Sequence, residues 1–82
     1  MKKYDWDPKK NNRNKVLRGM GFEDVVEAIG RGAAWIEDNT SRRHVGQSVF
    51  VLRQGGKTWV VPFQETEDRI RLITIFERKR AS

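Results

Sequence analysis

The opening stretch Tyr4-Asp5-Trp6-Asp7-Pro8-Lys9-Lys10-Asn11 predicts a short strand followed directly by a helix. Pro8 fixes its own φ and needs no N–H donor in the first helical turn. It also restricts Asp7 to extended conformations, in which the Asp7 carboxylate can accept a backbone N–H and cap the helix. We therefore predict a strand over residues 3–6 and a helix over residues 8–18.

The first predicted helix is unusually polar and basic. Gly19 follows it and can adopt the left-handed conformation that ends many helices. The only apolar side chains of this helix are Val16 and Leu17, and the helix contains no acid. A helix of this kind is mostly solvated or covered by a partner. Its bases are Lys9, Lys10, Arg13, Lys15 and Arg18.

The rest of the chain predicts a second helix and then a series of strands. The i, i+3, i+4, i+7 spacing of Phe22, Val25, Val26 and Ile29 is typical of one helix face, and this helix should end at Gly30 or Gly32. Paired glycines at 55 and 56 favour a hairpin turn, and Pro62 indicates a strand edge, a bulge or a strand end. The predicted strands cover residues 33–36, 48–53, 57–63 and 69–76.

This order predicts one α+β domain over residues 1–82: a curled antiparallel sheet with two N-terminal helices packed on one side, in the order β-α-α-β-β-β-β. In the last predicted strand, Ile70, Leu72, Thr74 and Phe76 alternate with Arg69, Arg71, Ile73 and Ile75. We expect Trp6 to anchor the first strand, and Trp35 and Trp59 to pack in the core or the hairpin.

Composition excludes several kinds of protein. Eighty-two residues without cysteine allow neither a disulfide framework nor a zinc–thiolate site. No apolar run approaches the roughly 20 residues that cross a membrane, and no signal-peptide core follows the first lysines. A single histidine cannot form a histidine-rich metal site, and no phosphate-binding loop is present. We expect a cytoplasmic protein without a metal or cofactor.

Positive charge is concentrated at both ends of the chain. Residues 1–18 contain seven bases and two acids, residues 69–82 contain five bases and one acid, and residues 19–68 contain five bases and eight acids. If the ends meet in the fold, they form one basic surface, and for a small domain the commonest polyanion is nucleic acid. The alternative is a dispersed, solvated surface charge.

Three stretches resemble the BrnT-type toxins, small ribonucleases of bacterial toxin–antitoxin pairs in the RelE-like superfamily. The opening stretch resembles their first strand and helix. Gly21-Phe22-Glu23-Asp24-Val25-Val26 resembles their second helix, and Arg69-Ile70-Arg71-Leu72-Ile73 resembles their last core strand. The resemblance implies a metal-independent endoribonuclease that acts on RNA, inhibits translation and is restrained in a hetero-oligomer by an antitoxin of the ribbon-helix-helix type.

Metal-free RNA cleavage needs a base, an acid and cations that stabilise the charge of the transition state. Arginine suits the last role because its planar fork holds two phosphate oxygens. Arg69 and Arg71 share one strand face, and the resemblance places Arg78, or else Lys79, in the cleft. His44 is the only side chain of a type whose unperturbed pKa lies near neutrality, which makes it a candidate acid or base, although a lone loop histidine is more often plain surface. Lys57 and Glu77 are alternatives for that role. The candidate catalytic residues are Arg69, Arg71, Arg78 and His44.

The candidate RNA-binding residues are Lys9, Lys10, Arg13, Arg42, Arg43, Lys57 and Lys79. Two other interpretations stay open at this point. One is a non-catalytic module of the same fold that binds nucleic acid or protein, and the other is a small structural partner that depends on a complex for its stability.

Overall fold

The computed structural model describes residues 2–38 and 48–79, which form two helices and six strands. The α+β class and the placement of both helices ahead of the main run of strands are confirmed. The elements are β1 (Lys3–Asp5), α1 (Pro8–Arg18), α2 (Phe22–Gly30), β2 (Ala34–Asp38), β3 (Ser48–Gln54), β4 (Lys57–Glu65), β5 (Arg69–Leu72) and β6 (Phe76–Glu77).

The strands form one sheet in the order β1-β5-β4-β3-β2, and β6 also pairs with β4. Neighbours from β2 to β5 are antiparallel, as predicted. β1 runs parallel to β5, with Tyr4 opposite Ile70, so the sheet as a whole is mixed. This pairing brings the strand at the start of the chain beside a strand near its end.

Both ends of α1 have the predicted caps. Asp7 is extended, with φ −78° and ψ 119°, and its carboxylate accepts the Lys9 N–H at 2.9 Å. Gly19 is left-handed, with φ 68° and ψ 20°. The first and last turns of α1 are therefore satisfied by residues that the local sequence supplies.

The apolar core lies between α2 and one face of the sheet. Phe22, Val25 and Ala28 of α2 pack with Met20 and with buried residues of the strands. The Trp6 ring lies 5.8 Å from that of Phe22, which confirms Trp6 as an anchor. The strand residues of this core are Phe50, Leu52, Trp59, Val61, Phe63 and Leu72, and Ile75 joins them between β5 and β6.

α1 is attached in a different way from α2. Its buried residues are Asn11 and Asn14, whereas Val16 and Leu17 are 83% and 72% exposed. The two apolar residues of this helix therefore point to solvent and do not form its packing face. Asn14 Nδ2 is buried and has no hydrogen-bond partner among the described residues.

Asn11 joins the two helices. Its Oδ1 accepts the backbone N–H of Phe22 at 2.7 Å, and its Nδ2 donates to Glu23 Oε1 at 2.8 Å. The Asn11 side chain thus caps α2 from outside that helix. Lys15 also donates to Glu23, at 2.8 Å. These hydrogen bonds hold α1 against the first turn of α2.

The close approach of the two helices depends on Gly21. A Cβ added at Gly21 would lie 2.6 Å from Lys15 Cε, 2.7 Å from Glu23 Oε1 and 3.0 Å from Asn11 Oδ1. A side chain there would displace the groups that join the helices. Gly21 is therefore selected by space, since its φ of −107° is open to any residue.

The last predicted strand is interrupted by a bulge. Between the pairs Phe63–Leu72 and Val60–Phe76, β4 contributes two residues and the facing segment contributes three, residues 73–75. One extra residue reverses which side chains face the helices. Ile75 is fully buried and Phe76 is 41% exposed. The prediction of one continuous strand with Phe76 and Leu72 on the same face is wrong for this reason.

Pro62 lies opposite this bulge. Its carbonyl accepts the Ile73 N–H at 2.9 Å, so its missing N–H would also point towards the bulged segment. Because the bulge disrupts the ladder there, a residue without a donor is tolerated. Of the three alternatives for Pro62, the structure supports the bulge.

The sheet face opposite the helices, here called the far face, carries a second, smaller apolar cluster of Val49, Val51 and Val60. Trp35 lies on this face of β2 and is 44% exposed. The prediction that Trp35 packs in the core or hairpin is therefore wrong, because its pairing with Val51 places it on the far face, away from the helices. Trp59 is in the core, as predicted.

Replacing Gly21 by alanine should destabilise the fold by about 1 kcal/mol, because the new Cβ displaces Lys15 and Glu23 and alanine is a poor N-cap residue. The measurement is urea unfolding. Gly30→Ala is the matched control, since a Cβ at Gly30 meets no atom within 4 Å. Equal stability of the two variants would show that the contact between α1 and α2 tolerates a side chain at position 21.

The pH dependence of stability should report on Glu23. Hydrogen bonds from Lys15, and then from Asn11, lower the pKa of Glu23 from 4.5 to about 2. The unfolded chain therefore binds this proton more readily, and the stabilisation is complete above about pH 4.5 and lost as the pH falls towards 2. The stability difference between the natural chain and Glu23→Gln should shrink over that interval in unfolding experiments. A difference that stays constant would contradict the assignment.

Candidate nucleic-acid interface

A groove of about 450 Å³ lies at the turn end of β3 and β4. Its charged lining consists of four bases and one acid, and we call it the basic groove. The charged residues are Arg53, Lys57, Arg78, Lys79 and Glu77.

The hairpin and the end of the chain together build the basic groove. Gly55 and Gly56 have φ values of 63° and 76°, the left-handed conformations that a tight turn requires. The Arg78 N–H donates to Thr58 O at 2.8 Å, which holds the chain beside the start of β4. Residues 77–79 therefore lie next to the hairpin in space, although they are distant from it in sequence.

Two of the four bases have acidic partners. Lys57 Nζ lies 3.9 Å from Glu77 Oε1 and 5.9 Å from the centre of the Trp59 ring. Arg78 donates to both oxygens of Glu37, at 3.0 and 3.4 Å. Hydrogen bonds from Arg78, and then from Trp35, lower the pKa of Glu37.

The groove keeps an excess of positive charge. Within residues 2–38 and 48–79, neither Arg53 nor Lys79 makes an ion pair. Exposed ion pairs are weak, at about 0–1 kcal/mol, so a polyanion can replace the partners of the other two bases. The groove is therefore suited to a ligand that carries several negative charges.

Arg69 and Arg71 form a separate site around Asp5. Their guanidinium groups lie 3.0 and 3.5 Å from Asp5 Oδ2, and Arg69 Nε lies 3.8 Å from Asp68. Asp5 Oδ1 is buried and has no hydrogen-bond partner in the described part of the chain. The two arginines do share one face, as predicted, and one carboxylate is bound between them.

This arginine pair lies at the opposite end of β4 from the basic groove. Arg71 pairs with Gln64, whereas the Arg78 N–H bonds Thr58. Six residues of strand separate these two positions, or about 20 Å. The structure therefore brings Arg78 together with Lys57 and Lys79, and Arg69 with Arg71, but does not bring all three candidate catalytic arginines together.

The remaining candidates are on α1 or outside the described residues. Lys9, Lys10 and Arg13 are exposed on α1, and Lys10 Nζ donates to Ile73 O at 3.4 Å. These three bases do not line the basic groove. Arg42, Arg43 and His44 lie outside the described residues, so the structure does not place them.

Arg53 is the member of the groove that sequence reasoning missed. It directly precedes the Gln54-Gly55-Gly56 turn, and in a two-residue hairpin that position faces Thr58 on the return strand. Counting residue pairs outward from the two-glycine turn would have placed Arg53 opposite Thr58 and beside Lys57. Asp5 and Glu37, the carboxylates that bind the candidate arginines, have no comparable signal, because their partners are distant in sequence.

In the described residues, no group of three or more histidine, cysteine, aspartate or glutamate side chains could hold a metal ion. In that same part of the chain, no helix is long and apolar enough to span a membrane.

Comparisons of the chain with protein-family models, curated proteins and solved structures gave no match.

Proposed function

We propose that this domain is the toxin of a bacterial toxin–antitoxin pair, a cytoplasmic, metal-independent endoribonuclease that binds the RNA backbone in the basic groove. The observation that carries the proposal is the convergence of four bases around a single acid in a groove of about 450 Å³. The resemblance of the opening stretch, the second helix and β5 to the BrnT-type toxins supports the choice of RNA.

The chemistry of the lining fits a phosphate ligand. Arg53 and Arg78 supply planar forks that can each hold two phosphate oxygens. Lys57 and Lys79 add point charges on flexible stems. Contacts of this kind bind the backbone without reading sequence, and they weaken as salt is added because each neutralised phosphate releases counterions.

Cleavage can be assigned to residues that share this groove. Glu77 takes the proton of a 2′-hydroxyl, and the resulting oxygen attacks the adjacent phosphorus. Arg78 stabilises the charge on the pentavalent phosphorus. The bond from phosphorus to the 5′-oxygen then breaks, and Lys57 donates a proton to that oxygen. The products are a 2′,3′-cyclic phosphate and a 5′-hydroxyl, so the step needs no metal or external nucleophile.

A non-catalytic nucleic-acid-binding module is the second candidate, and the ion pairs favour it. Arg78 is bound by Glu37, and Arg69 and Arg71 are bound by Asp5. A phosphate in the transition state must compete with those carboxylates. For this candidate the same groove binds RNA, and the arginine pair around Asp5 joins β1 to β5 without a chemical role.

We propose further that the antitoxin, of the ribbon-helix-helix type, covers α1. Val16 and Leu17 are the most exposed large apolar residues of the described chain. They lie on a helix with five bases and no acid. An acidic segment with apolar side chains would complement this surface in both charge and polarity.

Purified protein should bind and cleave RNA in EDTA, with an affinity that falls steeply between low and physiological salt. Arg78→Gln should lower the cleavage rate by about 10- to 1000-fold, as expected for loss of one transition-state donor. Glu77→Gln should lower cleavage and leave binding intact. Arg31→Gln is the control, because it removes the same charge from an exposed position directly after α2 and outside the groove.

The outcomes separate the candidates. Salt-sensitive binding without cleavage, weakened by Arg53→Gln and Arg78→Gln, would support the non-catalytic module. Binding that is absent, or that responds equally to Arg31→Gln, would overturn the assignment of the groove.

The antitoxin surface should respond to polar substitution of α1. Val16→Ser with Leu17→Ser should release the antitoxin encoded by the neighbouring reading frame and leave RNA binding unchanged. The fold should persist, since both side chains are exposed. The measurement is co-purification after co-expression, with Ile36→Ser, another exposed apolar position, as the control. Retention of the antitoxin by the double variant would place its interface elsewhere.

A further inference from the structure

Four apolar residues form one row across the far face of the sheet. Trp35 of β2 is opposite Val51 of β3, Val51 is opposite Val60 of β4, and Val60 is opposite Phe76 of β6. Residues in one such row point to the same side of a sheet. The row therefore has an aromatic ring at each end and two valines between the rings.

The exposure of these residues is uneven. Val51 is fully buried and Val60 is 3% exposed, whereas Trp35 and Phe76 are 44% and 41% exposed. The two rings therefore keep much of their surface accessible, while the two valines between them are buried. Large aromatic side chains with one accessible side are the residues on which nucleobases stack.

Hydrogen bonds connect this row to the basic groove. Trp35 Nε1 donates to Glu37 Oε2 at 2.7 Å, and the same carboxylate accepts both bonds from Arg78. Arg78, which lies beside β4, thus reaches across β3 to Glu37 of β2. The Trp35 indole is held by its own hydrogen bond, and a groove arginine lies beside it.

The spacing of Phe76 and Arg78 also places the Phe76 ring next to an arginine of the basic groove. Phe76 and Arg78 are two residues apart, and Arg78 follows the strand register opposite Thr58. Arg53 pairs with Thr58 from the other side. One row of the far face therefore carries aromatic rings, and the next row carries two arginines.

We propose that the far face binds unpaired bases of single-stranded RNA, which stack on Trp35 and Phe76 while Arg53 and Arg78 hold the connecting phosphates. The inference rests on the proposed function, in which the basic groove binds the RNA backbone. It adds the substrate class: RNA whose bases are not paired, because bases inside a duplex already stack on one another.

A protein partner could also use exposed aromatic rings beside arginines. The charge of the surroundings favours RNA, because Glu37, which accepts the Trp35 hydrogen bond, is itself bound by Arg78, and the groove that adjoins the rings has four bases and one acid. Stacking on either ring is tolerant of sequence, since every base has a π-face. The far face should therefore select single strands over duplexes more strongly than it selects one base over another.

The test compares probes that have the same charge and different bases. Fluorescence anisotropy would measure binding of a 12-nucleotide single-stranded RNA, its blunt duplex and an abasic strand of equal length. The natural chain should bind the single strand most tightly. Trp35→Leu and Phe76→Leu keep apolar side chains but remove the rings, and each should weaken binding of the single strand by about 5- to 150-fold. Binding of the abasic strand should stay unchanged.

Ile36→Ala is the matched control, because Ile36 is a neighbouring apolar residue of β2 with 59% exposure and no ring. Trp35→Phe provides a second measurement in case a leucine variant unfolds. It keeps a ring, so affinity should be retained, while the quenching of protein fluorescence by the single strand should fall.

The results distinguish this inference from the function on which it rests. Equal binding of all three probes, or ring variants that bind the single strand like the natural chain, would overturn base stacking and leave backbone binding in place. Absence of binding to every probe would overturn the proposed function and the stacking inference together. Ring variants that lose the antitoxin but keep single-strand affinity would assign the far face to a protein partner and overturn the inference.

Discussion

The contact between Asn11 and the first turn of α2 is the constraint on which the helical half of this domain depends. α1 adds no side chain to the apolar core within the described residues, so hydrophobic burial does not hold it in place. Asn11 supplies an acceptor for the Phe22 N–H and a donor for Glu23, both of which the start of α2 leaves open. Gly21 makes the approach possible because it has no Cβ.

This polar attachment decides which side chains of α1 are exposed. A helix that packs through asparagines can leave its apolar residues on the outside, and α1 does so with Val16 and Leu17. The same helix carries a high density of bases. The arrangement leaves a basic surface of α1 with exposed apolar side chains, which is the surface that we propose the antitoxin covers, while the core beneath is completed by Met20 and α2.

The bulge opposite Pro62 decides which side chains of the last part of the sheet face the core. One extra residue directs Ile75 into the core and Phe76 onto the far face. Without it, Phe76 would join Leu72 beneath the helices and the side chains that follow would change faces too. The bulge thus sets both the aromatic row and the position of Arg78 beside Thr58, and it links the core of the domain to its candidate RNA surface.

Local chemistry in the sequence was sufficient for the caps at Asp7 and Gly19, the extents of both helices, the glycine hairpin and the α+β class, because each depends on neighbours a few residues apart. The face of α1, the bulge and the parallel pairing of β1 with β5 depend on residues more than ten positions apart, and no local period encodes them. The candidate site also depends on contacts between residues that are distant in sequence. The sequence shows how many bases there are, but only the tertiary structure separates Arg69 and Arg71 from Arg78. It also places Arg53 in the groove. Strand register decides which charges meet, and register is set by the packing of the whole sheet.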